Sequence, residues 1–289
     1  MELHQLTEHC RYSDAVSDGD RPVLGLVAGR DNTLAVDCGN SPAHAQWLLD
    51  RAKALGLPPV RWAVLTHWHW DHVMGGRTMQ EAGVSLICSR GTARQLEALR
   101  GLPWTDEAIA QRVAEGTEIP FCQEAIRVEY PENSRRLEAP TPQLVLDGPA
   151  ELDLGGVAVS LLPHPSDHSM DGTLVHIPGD GAVFLGDSSY LNMYTSPWHY
   201  TREKLLPLLD TLEGLGADWY LPAHHDRMLT GADFSAFSRR QRRLCALVGE
   251  EVTIANPAAR YAAEFGGEPG PGDLEELMAF VRGNLVKTR

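Results

Sequence analysis

The chain has 289 residues, and 25 Lys and Arg against 39 Asp and Glu give a formal net charge of −14 with histidine neutral. That length suits one large domain or two small ones, and 43% hydrophobic residues is ample for a packed core, so disorder is excluded as the default state. The acidic balance argues against nucleic acid as a habitual partner, because each phosphate contact needs a Lys or Arg.

The opening residues, Met1-Glu2-Leu3-His4, carry neither a basic nor an apolar leader run, and no stretch is apolar over the ~18 residues that span a bilayer. A cytoplasmic, membrane-independent chain is expected. Cys10, Cys38, Cys88, Cys122 and Cys245 are scattered, form no CxxC pair and read as reduced core thiols.

From Pro22 the residues VLGLVAG, RDN and TLAVDCG read as two strands joined by a short polar turn. Ser41-Pro42 is a helix start, and Ala45, Leu48, Leu49, Ala52 and Leu55 follow helical spacing up to Gly56. RWAVLTH is a strand ending in a dense polar cluster, followed by Gly75-Gly76, a helical stretch and the strand VSLIC. Residues 90–142 change character. TARQLEALR and TDEAIAQRVAE read as helices and the remainder as irregular, which suggests a lid inserted over the frame.

Strand signals return at QLVLDG, ELDLGGVAVSLLP, GTLVHIP and AVFLGD, then a helix over 202–212 and the strand DWYLPAH. A helical tail, about 231–289, holds one helix from near Asp233 and one capped by Asp273. The second half thus repeats the order of the first, and two similar α/β halves with outer helices predict one domain built as a sandwich of two sheets.

Residues 66–72 read Thr66-His67-Trp68-His69-Trp70-Asp71-His72. Three imidazoles and a carboxylate in six residues are costly to pack without something to satisfy them. His67 and His69 lie two apart and point to one side of an extended loop, while Asp71 and His72 follow where the chain turns into a helix. Further candidates close other strands: His164 and His168 before GTLVHIP, Asp187 after VFLG, and His224 and His225 after YLPA.

Together these five segments resemble the metallo-β-lactamase-fold hydrolases over residues 20–230. The resemblance implies an αββα sandwich of two mixed sheets flanked by helices, with Asp37 in a structural role. It also implies that His67, His69 and His168 hold one metal ion, Asp71, His72 and His224 a second, and Asp187 bridges them. His164 and His225 stand as competitors to His168 and His224. Two divalent ions are expected, zinc by its suitability for imidazole and carboxylate ligands, with iron or manganese chemically acceptable.

Such a pair activates a bridging hydroxide for hydrolysis, with Asp71 able to shuttle a proton. Tyr190, three residues after Asp187, is similar to the tyrosine of acyl-homoserine lactonases of this fold, where the phenol stabilises the oxyanion. The expected reaction is cleavage of a small ester, lactone or thioester. A glyoxalase II-like thioesterase is an alternative, with Arg239, Arg240, Arg242 and Arg243 as glutathione contacts or simply a solvated helix face. A mononuclear-iron persulfide dioxygenase is another. Asp187 and the missing leader argue against a β-lactamase, and the net charge against a nuclease or phosphodiesterase. Trp68, Trp70, Tyr194, Trp198 and Tyr200 are candidates to wall an apolar pocket. Oligomeric state is left open, a homodimer included.

Overall fold

The computed structural model describes residues 1–287. In chain order the elements are β1 (Leu3–Gln5), β2 (Cys10–Ser13), β3 (Gly25–Ala28), β4 (Thr33–Val36), α1 (Pro42–Ala54), β5 (Val60–Val64), α2 (Trp70–Val73), α3 (Gly76–Glu81) and β6 (Ser85–Ser89). There follow α4 (Arg90–Leu99), α5 (Asp106–Glu115), α6 (Pro120–Glu129), β7 (Leu144–Leu146), β8 (Ala150–Asp153), β9 (Ala158–Pro163), β10 (Thr173–Ile177) and β11 (Ala182–Gly186). The chain ends with α7 (Arg202–Leu215), β12 (Trp219–Pro222), β13 (Leu229–Thr230), α8 (Gly231–Val248), α9 (Pro257–Phe265) and α10 (Pro271–Lys287).

Among the described residues the strands form two mixed sheets, seven strands in the order β1 to β7 and six in the order β13-β12-β11-β10-β9-β8. The two sheets bury Val27, Val36, Val64 and Ile87 of the first against Val159, Val175, Phe184 and Leu221 of the second. The outer face of the first sheet packs under α1, α3 and α4 to α6 through Leu48, Met79, Leu96, Ile109 and Ile126. The outer face of the second packs under α7, α8 and α10 through Leu208, Leu212, Phe234, Leu244 and Phe280. The result is the four-layer αββα sandwich expected from the sequence.

Strand direction decides where the polar residues collect. β4 and β5 pair in parallel, as do β11 and β12, and β9 runs the same way as β11 because each pairs antiparallel with β10. The C-terminal ends of β5, β9, β11 and β12 therefore meet at one edge. The sheets are joined there by the Thr173 N–H donating to the Thr66 carbonyl at 2.7 Å. Gly186 sits at the β11 irregularity in a left-handed conformation, and a Cβ on it would fall 2.5 Å from the Thr66 hydroxyl. No side chain fits at that crossing.

The helix starts read from sequence reflect real caps. Ser41 accepts from the His44 N–H ahead of Pro42, and Thr230 with Asp233 forms a reciprocal capping box at α8. Other readings need revision. The stretch after Asp71 is two short helices, α2 and α3, because the chain turns at Met74-Gly75. Part of the segment read as irregular is α6, whose buried Cys122, Ala125 and Ile126 face the core. Leu55 is half exposed, beyond the end of α1. The strands β1 and β2 and the helix α9 were not read from the sequence: the two strands are short, and α9 has nine residues. Asp273 lies in the first turn of α10, where its carboxylate accepts the Gly270 N–H. All five cysteines are buried and unpaired, and no described helix is long and apolar enough to cross a membrane.

The end of α6 is tied to the N-terminal loop and to the start of α1. Arg21 makes a two-pronged pair with Glu129, at 2.7 and 3.0 Å, at the end of α6; Ser41 donates to the same carboxylate, and the Tyr130 hydroxyl to the Asn40 carbonyl.

Gly75 fixes the approach of α3 to the β4 end. Its φ of −77° is ordinary, but an added Cβ would lie 2.0 Å from the Cys38 carbonyl oxygen. Gly75→Ala is expected to cost about 3 kcal/mol through overpacking, measured by chemical denaturation. A stability within about 0.5 kcal/mol of the parent would contradict this packing.

Candidate metal centre

His67 and His69 follow the β5 end on an extended loop, and Asp71 and His72 project from α2, which begins directly after His69. His168 comes from the turn between β9 and β10, Asp187 follows β11, and His224 follows β12. Two groups result: His67, His69, His168 and Asp187; and Asp71, His72, Asp187 and His224. Within each group the ligand atoms lie within 4.8 Å of one another. Asp187 is common to both.

In the first group the His69 Nδ1 lies 2.9 Å from the His67 Nε2 and 2.9 Å from the His168 Nε2. In the second, Asp71 Oδ2 is 3.0 Å from His72 Nε2 and 3.2 Å from His224 Nε2. Asp187 Oδ2 lies 3.1 Å from His168, 3.5 Å from both His72 and His224, and 3.7 Å from His67.

Three imidazole nitrogens aimed at one point, and two carboxylates wedged among imidazoles, make a donor set that cations would satisfy. The Nε2 of His72 and the Oδ1 of Asp187 are buried without a hydrogen bond. The residues therefore fit two cations with nitrogen and carboxylate-oxygen ligands, as zinc prefers.

Electrostatics divide the imidazoles. Burial, reinforced by neighbouring imidazoles, holds His67 and His69 well below the usual histidine range, so both are neutral and ready to donate a lone pair. Burial also opposes charge on His72 and His224, but Asp71 and Asp187 outweigh it and raise both. Asp71 and Asp187 in turn stay ionised despite burial, because the imidazoles around them prevail.

Outer partners set the ligand orientations. Asp37, in a left-handed conformation at φ 61°, accepts from the Thr66 N–H and hydroxyl at 2.7 and 2.8 Å and pairs with His72 Nδ1 at 2.8 Å. Such second partners fix which ring nitrogen faces a metal. Asp20 plays a looser part at His224, with Oδ1 3.4 Å from its Nδ1. The turn carrying His168 is anchored from both sides. Asp167 accepts from the Thr201 N–H and hydroxyl, each at 2.7 Å, and Asp171 from Thr92 at 2.7 Å and from Ser169.

A cavity of about 350 Å³ opens over the centre, bounded by Asp20 and Val16 of the N-terminal loop, Ile119 and Phe121 at the start of α6, and Met193 and Tyr194. Tyr190 also lines it, its hydroxyl oxygen accepting the His224 N–H at 3.0 Å. The competitors lie outside the groups. His164 turns to Pro165 and Thr211, and His225 is exposed against the Tyr190 ring.

Of the five aromatics singled out in the sequence, Tyr194 lines this cavity and packs tilted against His69, with ring centroids 4.4 Å apart. Trp68 lines a neighbouring cavity, Trp70 and Tyr200 are buried, and Trp198 is exposed by α10, where its carbonyl accepts from Arg282. Sequence reasoning missed Asp20, Val16, Ile119, Phe121 and Met193, which carry no motif and meet only through the fold.

The arginines of α8 are largely engaged elsewhere. Arg240 pairs with Asp273 and Glu276, Arg242 with Asp210 and Glu213, and Arg243 with Glu264, while Arg239 is exposed. They fasten α8 to α7, α9 and α10.

The family model of the metallo-beta-lactamase superfamily matches residues 20–224. The chain belongs to this superfamily. Its members are metal-dependent hydrolases. Among solved structures, the metallo-beta-lactamase from Pontibacter korlensis is 18% identical, with a TM-score of 0.57 over 82% of this chain and 97% of that one. A metallo-beta-lactamase family protein from Thermus thermophilus is 19% identical, with a TM-score of 0.61 over 99% and 94%. The sec-alkylsulfatase Pisa1 from Pseudomonas sp. is 15% identical, with a TM-score of 0.65 over 98% of this chain but 49% of that one. At these identities the likeness is one of fold. No curated protein matches the chain.

Because His72 and His224 are raised, both carry protons at neutral pH in the metal-free chain, and an incoming cation must displace them. Apparent zinc affinity is expected to rise between about pH 6 and 8, with roughly one to two protons released per chain, read by calorimetry in buffers of differing ionisation heat. Binding indifferent to pH would contradict the protonated state of these two histidines in the metal-free chain.

Proposed function

We propose that the chain is a binuclear zinc hydrolase that cleaves a small ester, lactone or thioester. The observation carrying this reading is the position of Asp187, shared by two four-residue groups that between them use seven side chains. The iron dioxygenase alternative uses the same His and Asp pattern to hold a single ion, so metal content separates the two readings.

His67, His69, His168 and Asp187 would hold one ion, and Asp71, His72, His224 and Asp187 the other. Bound there, two divalent ions supply Lewis acidity and make water acidic enough to act as a nucleophile near neutral pH. The remaining work belongs to the chain. Asp37 and Asp20 hold His72 and His224 by the nitrogens turned away from the centre. Asp71, ionised and buried, can receive a proton on a carboxylate oxygen and pass it to the departing group.

Tyr190 spends its oxygen lone pair on the His224 N–H, which leaves its hydroxyl hydrogen free to donate into the cavity. Burial, with the Asp187 charge next, raises its pKa, so the phenol stays protonated and serves as a donor to a developing oxyanion.

Neighbouring readings find less support. The ion pairs made by Arg240, Arg242 and Arg243 leave little for gripping glutathione. A sulfate ester, the kind of substrate in the name of Pisa1, would meet a cavity with no Lys or Arg among its described lining residues.

Metal analysis of the purified chain is expected to find two zinc ions, and Asp187→Ala to lose metal together with turnover of ester, lactone and thioester substrates. One tightly held iron, or full activity in Asp187→Ala, would overturn the reading. Tyr190→Phe is expected to lower kcat about 100-fold with KM little changed, since the donated hydrogen bond strengthens only as the oxyanion forms. An unchanged kcat would remove Tyr190 from the chemistry.

A further inference from the structure

The walls of the cavity carry information about substrate that the metal centre does not. Phe121 is 49% exposed, yet it follows Ile119 and Pro120 at the start of α6, whose next residue, Cys122, is buried. Phe121 lines the cavity, and Ile119, Val16 and Met193 continue the apolar surface. A half-bare aromatic ring at the mouth of a cavity is a surface awaiting an apolar occupant.

The charges lining the same cavity are of one sign. Asp20, Asp71, Asp187 and Asp226 face it, and no Lys or Arg does among the described residues. Asp71 and Asp187 sit among the imidazoles, with Asp37 behind His72 and Asp20 beside His224, so carboxylates offset much of the charge that two divalent ions would bring. The exposed Asp226 lies toward solvent, where a second negative group on a substrate would pass, while Asp20, its side chain mostly buried, sits deeper beside His224. Arg94 and Lys204 line a different cavity, reached across His69, His168 and Tyr194, where Asp167 and Asp171 accompany them.

We propose that the cavity selects substrates whose acyl or alkyl arm is uncharged and apolar. Phe121 and Ile119 of the insertion grip that arm, and Asp20 and Asp226 turn away arms ending in carboxylate, phosphate or sulfate. This selectivity rests on the hydrolase reading above and names the substrate class within it.

Linear alkan-2-ones test the selectivity without hydrolysis, because they present a carbonyl and an alkyl arm but contain no bond the enzyme can cleave. Binding of ketones from four to nine carbons, and of isosteres ending in carboxylate, is measured by calorimetry on metal-free and zinc-loaded protein. Each added methylene is expected to tighten ketone binding about threefold until the cavity is filled, and the carboxylate isosteres to bind roughly tenfold or more weakly in both forms.

Phe121→Ala is expected to weaken the longest ketone about tenfold and the shortest less than about twofold. Asp226→Lys should tighten the carboxylate isosteres about fivefold. Both positions are exposed, so neither change threatens the fold. Affinity independent of chain length, equal weakening of short and long ketones by Phe121→Ala, or carboxylates binding as well as ketones would each overturn the proposal. An ester, lactone and thioester screen on the same zinc-loaded protein is the separate arm. Total inactivity there would sink the hydrolase reading, while the ketone series still decides what the cavity accepts.

Discussion

The buried carboxylate of Asp37 is the tie on which the site depends. It binds the Thr66 N–H and hydroxyl at the end of β5 and the His72 ring on α2, so one side chain joins the end of β4, the histidine loop and the first helical turn after it. Its left-handed backbone, unusual for a residue other than glycine, is the local cost of pointing that carboxylate inward. Backbone bonds from Asp37 to Val64 and from Cys38 to His72 tie the same segments, and the carboxylate adds the contact that orients the His72 ring.

From this tie the rest follows by strand direction. Four strand ends from two sheets converge because β9, β11 and β12 run one way and meet β5 across a crossing kept clear by Gly186. Each sheet contributes ligands that neither could supply alone. The sandwich core therefore does more than stabilise the fold. Slippage of one sheet over the other by a residue would separate His67 and His69 from His168 and Asp187.

The legibility of all this in the sequence was uneven for physical reasons. The histidine string and the strand-end carboxylates could be read directly, because dense polar residues after apolar runs have few explanations. The cap at Ser41 was visible because capping is local chemistry, whereas the start of α8 was read near Asp233 without its Thr230 cap. Phe121, Ile119 and Asp20 were not, since they line the cavity through packing between segments far apart in the chain. The α8 arginines misled in the opposite direction. A run of cations looks like a ligand grip in sequence, but only the folded chain shows Asp210, Glu213, Glu264, Asp273 and Glu276 waiting for them.

The clasp of Arg21, Ser41 and Asn40 on Glu129 and Tyr130 holds the far end of α6 by polar contacts, whereas its first turn is held by the burial of Ile119 and Cys122 and leaves Pro120 and Phe121 exposed at the cavity mouth. The fixed end is built into the platform that carries the candidate ligands, and the exposed tip borders the cavity. Evolution can rewrite the tip to suit a new molecule while the anchorage leaves the catalytic platform untouched, so recognition and chemistry can diverge at different speeds within one chain.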